Sequence, residues 1–128
     1  MKILDTTFLI DLLDGDESTI KMVDKEAFLF TTQISIYEVV RGLFIENASV
    51  DQVRKTIDIL GDLRVLPFDD NSLIRSAEIS STLIKEGRRV PDCDCMIAGI
   101  ALSNGIKTIV TRNKNHFARM RDIKVETY

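Results

Sequence analysis

The pattern of this sequence is that of the α/β class, with a mainly parallel central sheet. Three observations predict it. Short apolar runs of strand length alternate with stretches whose apolar residues recur at helical spacing, as in successive βα units. No internal repeat, linker or low-complexity segment breaks the alternation, so residues 1–128 are expected to form a single domain. Four acidic residues, Asp5, Glu38, Asp92 and Asp94, stand at element boundaries, and the edge of an open parallel sheet is where such boundaries gather ligand-binding groups.

Taken in order, Lys2-Ile3-Leu4 is a first strand ending at Asp5. Thr6 to Leu13 predicts a short helix with Phe8, Leu9, Leu12 and Leu13 apolar, stopped by Asp14-Gly15-Asp16. Ser18 to Lys25 predicts a second helix, Ala27 to Thr31 a second strand, and Ile36 to Ile45 a third helix. Apolar residues at 50, 53, 57, 60 and 63 keep a helical period. Val65 to Phe68 is a short strand, with Pro67 favouring its end. Asp69-Asp70-Asn71 caps a long helix bearing Leu73, Ala77, Ile79, Leu83 and Ile84, which Gly87 stops. Val90-Pro91 turns into a helix opened by Asp92 and Asp94, and Asn104-Gly105 ends it. Thr108 to Thr111 is the next strand. Asn113 to Met120 is a turn plus a short helix, and Ile123 to Val125 closes the sheet.

Composition narrows the function. Apolar residues make up 45% and charged residues 29%, ordinary for a soluble globular protein, and 128 residues suffice for a real core. No apolar run approaches the roughly 18 residues of a membrane span. The N-terminus meets Asp5 at once, unlike a secretory signal, so a cytoplasmic location is expected. Cys93 and Cys95 stand one residue apart, a poor geometry for a disulfide, and with the single His116 they are too few for a zinc site. They are expected to be small helix-terminal residues, at least one buried. The formal net charge of −3 argues against a nucleic-acid binder, but its distribution argues otherwise. Residues 1–84 carry 15 acidic and 8 basic side chains, residues 85–128 carry 5 and 9. The basic set includes Arg88, Arg89, Arg112, Lys114, Arg119 and Arg121, where a phosphate chain can be guided; a solvated basic face is the plainer alternative.

Each acidic residue has a structural reading beside a chemical one. Asp5 suits the N-cap of the first helix. Glu38 completes a capping box with Ser35, in which each side chain meets an orphan amide. One of Asp92 and Asp94 suffices as a cap, so the other needs a further reason; Asp94 is the favoured ligand and Asp92 the cap or an outer partner. Clustered carboxylates that cannot neutralise one another call for a hard, oxygen-seeking cation, Mg²⁺ or Mn²⁺. Thr111 and Asn113, after the fourth apolar run, can bind a ligand water or a phosphate oxygen, and Arg112 a phosphate; turn chemistry is the alternative. His116 is a candidate for proton transfer, although a lone surface His is more often inert.

Four segments in order then resemble one family: Ile3-Leu4-Asp5-Thr6, Ser35-Ile36-Tyr37-Glu38-Val39-Val40-Arg41-Gly42, Asp94-Cys95-Met96-Ile97-Ala98-Gly99-Ile100-Ala101, and Val110-Thr111-Arg112-Asn113-Lys114-Asn115-His116-Phe117. Together they look like the PIN domain in its VapC-type toxin branch. The resemblance spans nearly the whole chain. It implies a three-layer α/β/α sandwich, an endoribonuclease dependent on Mg²⁺ or Mn²⁺, and a homodimer held inactive by a cognate antitoxin. By motif, Asp5, Glu38 and Asp94 match the family's first three acidic positions. The fourth departs: Asn113 stands where many members have Asp, and His116 where others have Asp before Phe. A neutral amide binds a second cation more weakly than a carboxylate, and Asp92 offers partial compensation. Thr6 and Thr111 complete the expected site.

The chemistry so implied is hydrolysis of an RNA phosphodiester, with Asp5 and Asp94 holding the cation and Glu38 orienting or deprotonating a water. Two other readings compete. A phosphoacceptor or phosphatase domain also places Asp after its first strand, but Asp5-Thr6-Thr7 lacks the second acid such sites need. A PIN-like module without catalysis, binding RNA or protein, is suggested by Asn113 and opposed by the three retained acids. Apolar residues Ile36, Tyr37, Val40, Leu43 and Phe44 exceed what one helix face needs for a core and suit a dimer or antitoxin surface.

Overall fold

Strand alternation divides the core into two layers. Successive strand side chains point to opposite faces, so Ile3 and Ile109 enter one apolar cluster while their neighbours Leu4 and Val110 enter the other. A computed structural model describes all 128 residues. Its elements are β1 (Lys2–Leu4), α1 (Thr6–Leu13), α2 (Glu17–Lys25), β2 (Leu29–Thr32), α3 (Gln33–Ile45), α4 (Val50–Gly61), β3 (Arg64–Leu66), α5 (Asp70–Lys85), α6 (Asp92–Ser103), β4 (Thr108–Val110), α7 (Lys114–Phe117) and β5 (Lys124–Glu126). The first layer joins the sheet to α5, α6 and α7 through Leu83, Ile97, Ala98, Ala101 and Phe117. The second joins it to α1, α3 and α4 through Phe8, Leu9, Val39 and Leu60. The expected α/β/α sandwich is therefore present.

All strand pairs are parallel, in the order β3-β2-β1-β4-β5. The chain winds outward from β1 through β2 to β3, then crosses back to lay β4 against the other side of β1. The order reverses between β1 and β4, and crevices at such switch points, beyond the carboxyl ends of the strands, are where open α/β sheets bind ligands. Asp5 follows β1 there, and Thr111 follows β4.

Most elements fall within a few residues of their expected positions, but two helices start earlier for a clear reason. Asp16, read as part of a stop, is the N-cap of α2 and accepts the Thr19 amide at 3.0 Å. Thr32 caps α3, accepting the Ser35 amide at 3.1 Å, which leaves Ser35 inside the helix and buried. The Ser35–Glu38 capping box does not form. The capping box present in the fold is at α4, between Ser49 and Gln52. Helices α5 and α6 pack closely because Gly99 has no side chain: a Cβ there would lie 2.8 Å from the Ser76 amide nitrogen and 2.9 Å from the Ser72 carbonyl oxygen. No helix is long and apolar enough to cross a membrane.

Candidate active site

Asp5 is the most buried acid, 4% exposed. It caps α1, as a boundary Asp is expected to, and both bonds it accepts locally fall on one oxygen: the Phe8 amide at 3.0 Å and the Thr7 hydroxyl at 2.7 Å, each to Oδ1. Burial pushes its carboxyl above the usual range, against the pull of the Thr111, Thr7 and Phe8 donors, and the charge of Asp94 pushes it the same way. That last influence places Asp5 and Asp94 in one electrostatic environment. Thr111 is fully buried, with its hydroxyl 3.3 Å from that of Thr7.

Glu38, freed from capping, turns towards α1 and accepts the Thr6 hydroxyl at 2.6 Å on Oε1. Its Oε2 lies 3.5 Å from an Arg41 Nη2. The first turn of α6 supplies Asp94, half-buried and raised by desolvation, which its contact with His116 opposes. The His116 Nδ1 lies 2.7 Å from Asp94 Oδ2. Cys93 is half-buried; burial first and the Glu38 charge second hold its thiol up, so it stays neutral. Both cysteines are free, and Cys95 is the buried one.

One expectation is corrected. Asp92 is not a cap. The α6 N-cap is Pro91, with no side-chain cap bond. Residues 92 and 94 lie about 200° apart around a helix, and Asp92 is exposed beside Phe68, Ser80 and Met96 over the α5 groove. Arg112 donates from Nη1 to Asp11 Oδ1 at 2.9 Å while its side chain stays mostly exposed. Asn113 starts α7 with its side chain exposed and making no cap bond, while its amide donates to Thr111 Oγ1 at 3.1 Å. Conversely His116, read as the more often inert kind, contacts the site directly. Thr7, Asp11 and Tyr128 were not singled out by the sequence, and Tyr128 has no local pattern to mark it.

The donor set fits a hard divalent cation in its chemistry. Asp5 and Asp94 are desolvated carboxylates of like charge, each raised by that desolvation, and such a pair is relieved by a cation. No three acidic, His or Cys groups close into a ready cage. Mg²⁺ does not require one, since it is commonly held by one or two carboxylates and keeps several waters.

Fold and site together define an all-parallel α/β protein with a buried Asp5 at the topological switch point. The PIN domain model matches residues 2–123, and the chain belongs to that family. The tRNA(fMet)-specific endonuclease VapC of Salmonella typhimurium (strain LT2) is 29% identical over 97 residues, 76% of this chain and 73% of that protein. Among solved structures, VapBC2 of Rickettsia felis bound to a promoter DNA fragment superposes with a TM-score of 0.85 at 20% identity, covering 99% of this chain and 98% of that one. VapBC-1 of nontypeable Haemophilus influenzae gives 0.82 at 23% identity, with 98% and 96% covered. The sarcin-ricin loop cleaving toxin VapC20 of Mycobacterium tuberculosis gives 0.72 at 13%, with 97% and 99% covered.

Proposed function

We propose that the chain is a divalent-cation-dependent endoribonuclease of the VapC type, the toxin of a toxin–antitoxin pair. The observation that carries this reading is the buried Asp5 directly after β1, at the switch point of a PIN fold, with Asp94 half-buried on the first turn of α6. The relatives named as a tRNA endonuclease and a sarcin-ricin loop cleaving toxin support structured RNA as the substrate class. Asp5 and Asp94 would hold the cation, and Glu38, tethered by Thr6, would contribute by orienting a water. When bound, a Mg²⁺ or Mn²⁺ supplies Lewis-acid activation of water and neutralises charge developing on the phosphate. Thr6 fixes the Glu38 carboxylate, and Thr7 fixes that of Asp5. His116 holds Asp94 Oδ2, restricting its rotation as outer partners of ligating carboxylates do. Asp92, on another face of α6, is no part of this set.

Solved neighbours described as a toxin-antitoxin complex and as a member of the VapBC family of toxin-antitoxin systems support an antitoxin partner. We assign its seat to the outer face of α3, where Tyr37, Val40, Phe44 and Ile45 line an apolar groove with Arg41. Arg41 joins that groove to the site, stacking 5.2 Å from the Tyr37 ring centre and pairing with Glu38. A partner seated there reaches the carboxylates, and an arginine from it would satisfy them in place of a cation. The expected homodimer is tested by sedimentation of the isolated protein.

The primary test is cleavage of a pool of structured RNAs with Mg²⁺, with Mn²⁺ and with EDTA, beside Asp94→Asn and Asp5→Asn purified identically. Discrete products that need the cation, and fall at least about a hundredfold in both variants, are expected. Equal cleavage by either variant would remove its residue from the machinery. No cleavage together with no carboxylate-dependent Mn²⁺ binding would favour a binding module.

A further inference from the structure

Two hydrogen-bonded chains meet at Arg112, and their direction is fixed by chemistry. A backbone amide can only donate, so the Arg112 N–H, 3.0 Å from Thr7 Oγ1, uses a lone pair of that hydroxyl. The single Thr7 proton is then directed to Asp5 Oδ1 at 2.7 Å, because an ionised carboxylate can only accept. The Arg112 guanidinium meanwhile donates to Asp11 Oδ1 at 2.9 Å, and the Tyr128 hydroxyl donates to the other oxygen, Oδ2, at 2.5 Å. Tyr128 is itself seated by its ring, edge-on to the fully buried Phe8 with centroids 4.9 Å apart. Phe8 is the residue whose amide also binds Asp5. Burial and the Asp11 charge hold the phenol well above its ordinary range, so it remains a donor.

We propose that Tyr128 and Asp11 are positioning residues of the acidic site: they anchor Arg112, and with it the 111–113 loop, on α1, so that the Arg112 amide polarises Thr7 towards Asp5. This rests on the endoribonuclease reading for its catalytic consequence, but not for its geometry. Arg112 acts in it through its backbone and its tether, not through a phosphate. The Thr111 hydroxyl and the Asn113 amide belong to the same loop, so loosening the tether frees the β4 side of the crevice as well.

The test uses the full chain and two mild variants. Tyr128→Phe keeps the ring against Phe8 and removes only the hydroxyl. Asp11→Asn keeps the size of the side chain and weakens both bonds to it. Each is measured for kcat and KM on a cleaved RNA, for Mn²⁺ affinity by electron paramagnetic resonance, and for hydrogen exchange at the Arg112 and Asn113 amides. The expected result is a fall in kcat of about tenfold, as for small misplacements of a reacting group, with KM nearly unchanged, weaker Mn²⁺ binding and faster exchange at both amides. A rise in KM with kcat unchanged would return Arg112 to phosphate binding and overturn the proposal. Unchanged exchange and Mn²⁺ affinity in both variants would overturn it too. Should the wild-type protein cleave nothing, faster exchange with weaker Mn²⁺ binding in the variants would uphold the tether while the ribonuclease reading alone fails.

Discussion

Asp5 places the Phe8 amide and the Thr7 hydroxyl on a single oxygen, and its charge is held in a desolvated corner that also feels Asp94. Capping needs the oxygen acceptor but not the charge, since Asn caps helices as well as Asp. Asp5→Asn is therefore expected to fold, and in EDTA to melt higher than the wild type. The gain is on the order of 1 kcal/mol, or about 4 °C for a chain of this size, measured by thermal unfolding. A lower melting temperature would mean that the charge stabilises the fold without a cation and would count against a cation site. Such trades between stability and activity are usual where charges are gathered for function. At this scale the sequence was partly legible. Asp5 and Asp94 stood out because each lies in one of the segments that resemble the PIN family, whereas other acids at helix starts, such as Asp16 and Asp69, are caps only. Asp92 was misread as a cap because the helix already includes it, with Pro91 in the cap position. The 22-residue separation of Asp94 and His116 has no periodic signature; only the meeting of α6 with α7 makes them neighbours.

Helix α6 is apolar on nearly every side and carries Asp94 on its first turn, so its placement against α5 decides where that carboxylate sits. Gly99 sets the distance. The Ser72 and Ser76 backbones occupy the space a methyl group would take, and the Ser76 hydroxyl is already bound to the Ser72 carbonyl at 2.7 Å. Gly99→Ala is expected to cost about 3 kcal/mol, the upper part of the usual range for overpacking, by chemical denaturation. The Ser76 hydroxyl stands nearest and can turn aside, but the backbone atoms of Ser72 and Ser76 behind it cannot. It should also lower cleavage in whatever fraction remains folded, by moving Asp94. A loss below about 0.5 kcal/mol would show that the two helices can separate freely. The order of elements was readable from apolar periodicity, and β1, α1, α5 and β4 fell close to expectation. The start of α3 was not: Thr32 and Ser35 are both good caps, and Thr32 takes the role because β2 runs directly into the helix. That three-residue shift is what releases Glu38 from capping to reach Thr6.

Across the whole molecule, a basic carboxyl-terminal third contrasts with an exposed apolar face on α3. Residues 85–128 carry 9 basic against 5 acidic side chains in a chain that is acidic as a whole, a local balance that suits a polyanionic substrate. On the other side, α3 leaves Tyr37, Phe44 and Ile45 at 54%, 53% and 73% exposure, an apolar surface that the core does not use. If these surfaces serve different partners, they are separable by mutation. Phe44→Glu removes apolar area from the groove of Tyr37, Val40, Arg41 and Ile45 without entering either buried cluster, so the fold and RNA cleavage should persist. Inhibition by the cognate antitoxin should weaken by at least about tenfold, since a charge at the centre of an apolar contact commonly costs more than 1.4 kcal/mol. Titration of the antitoxin into the cleavage assay reads the effect directly. Undiminished inhibition of Phe44→Glu would place the antitoxin elsewhere. Cleavage that falls together with inhibition would place the α3 face on the RNA path, in which case the acidic amino-terminal part takes part in substrate binding despite its charge.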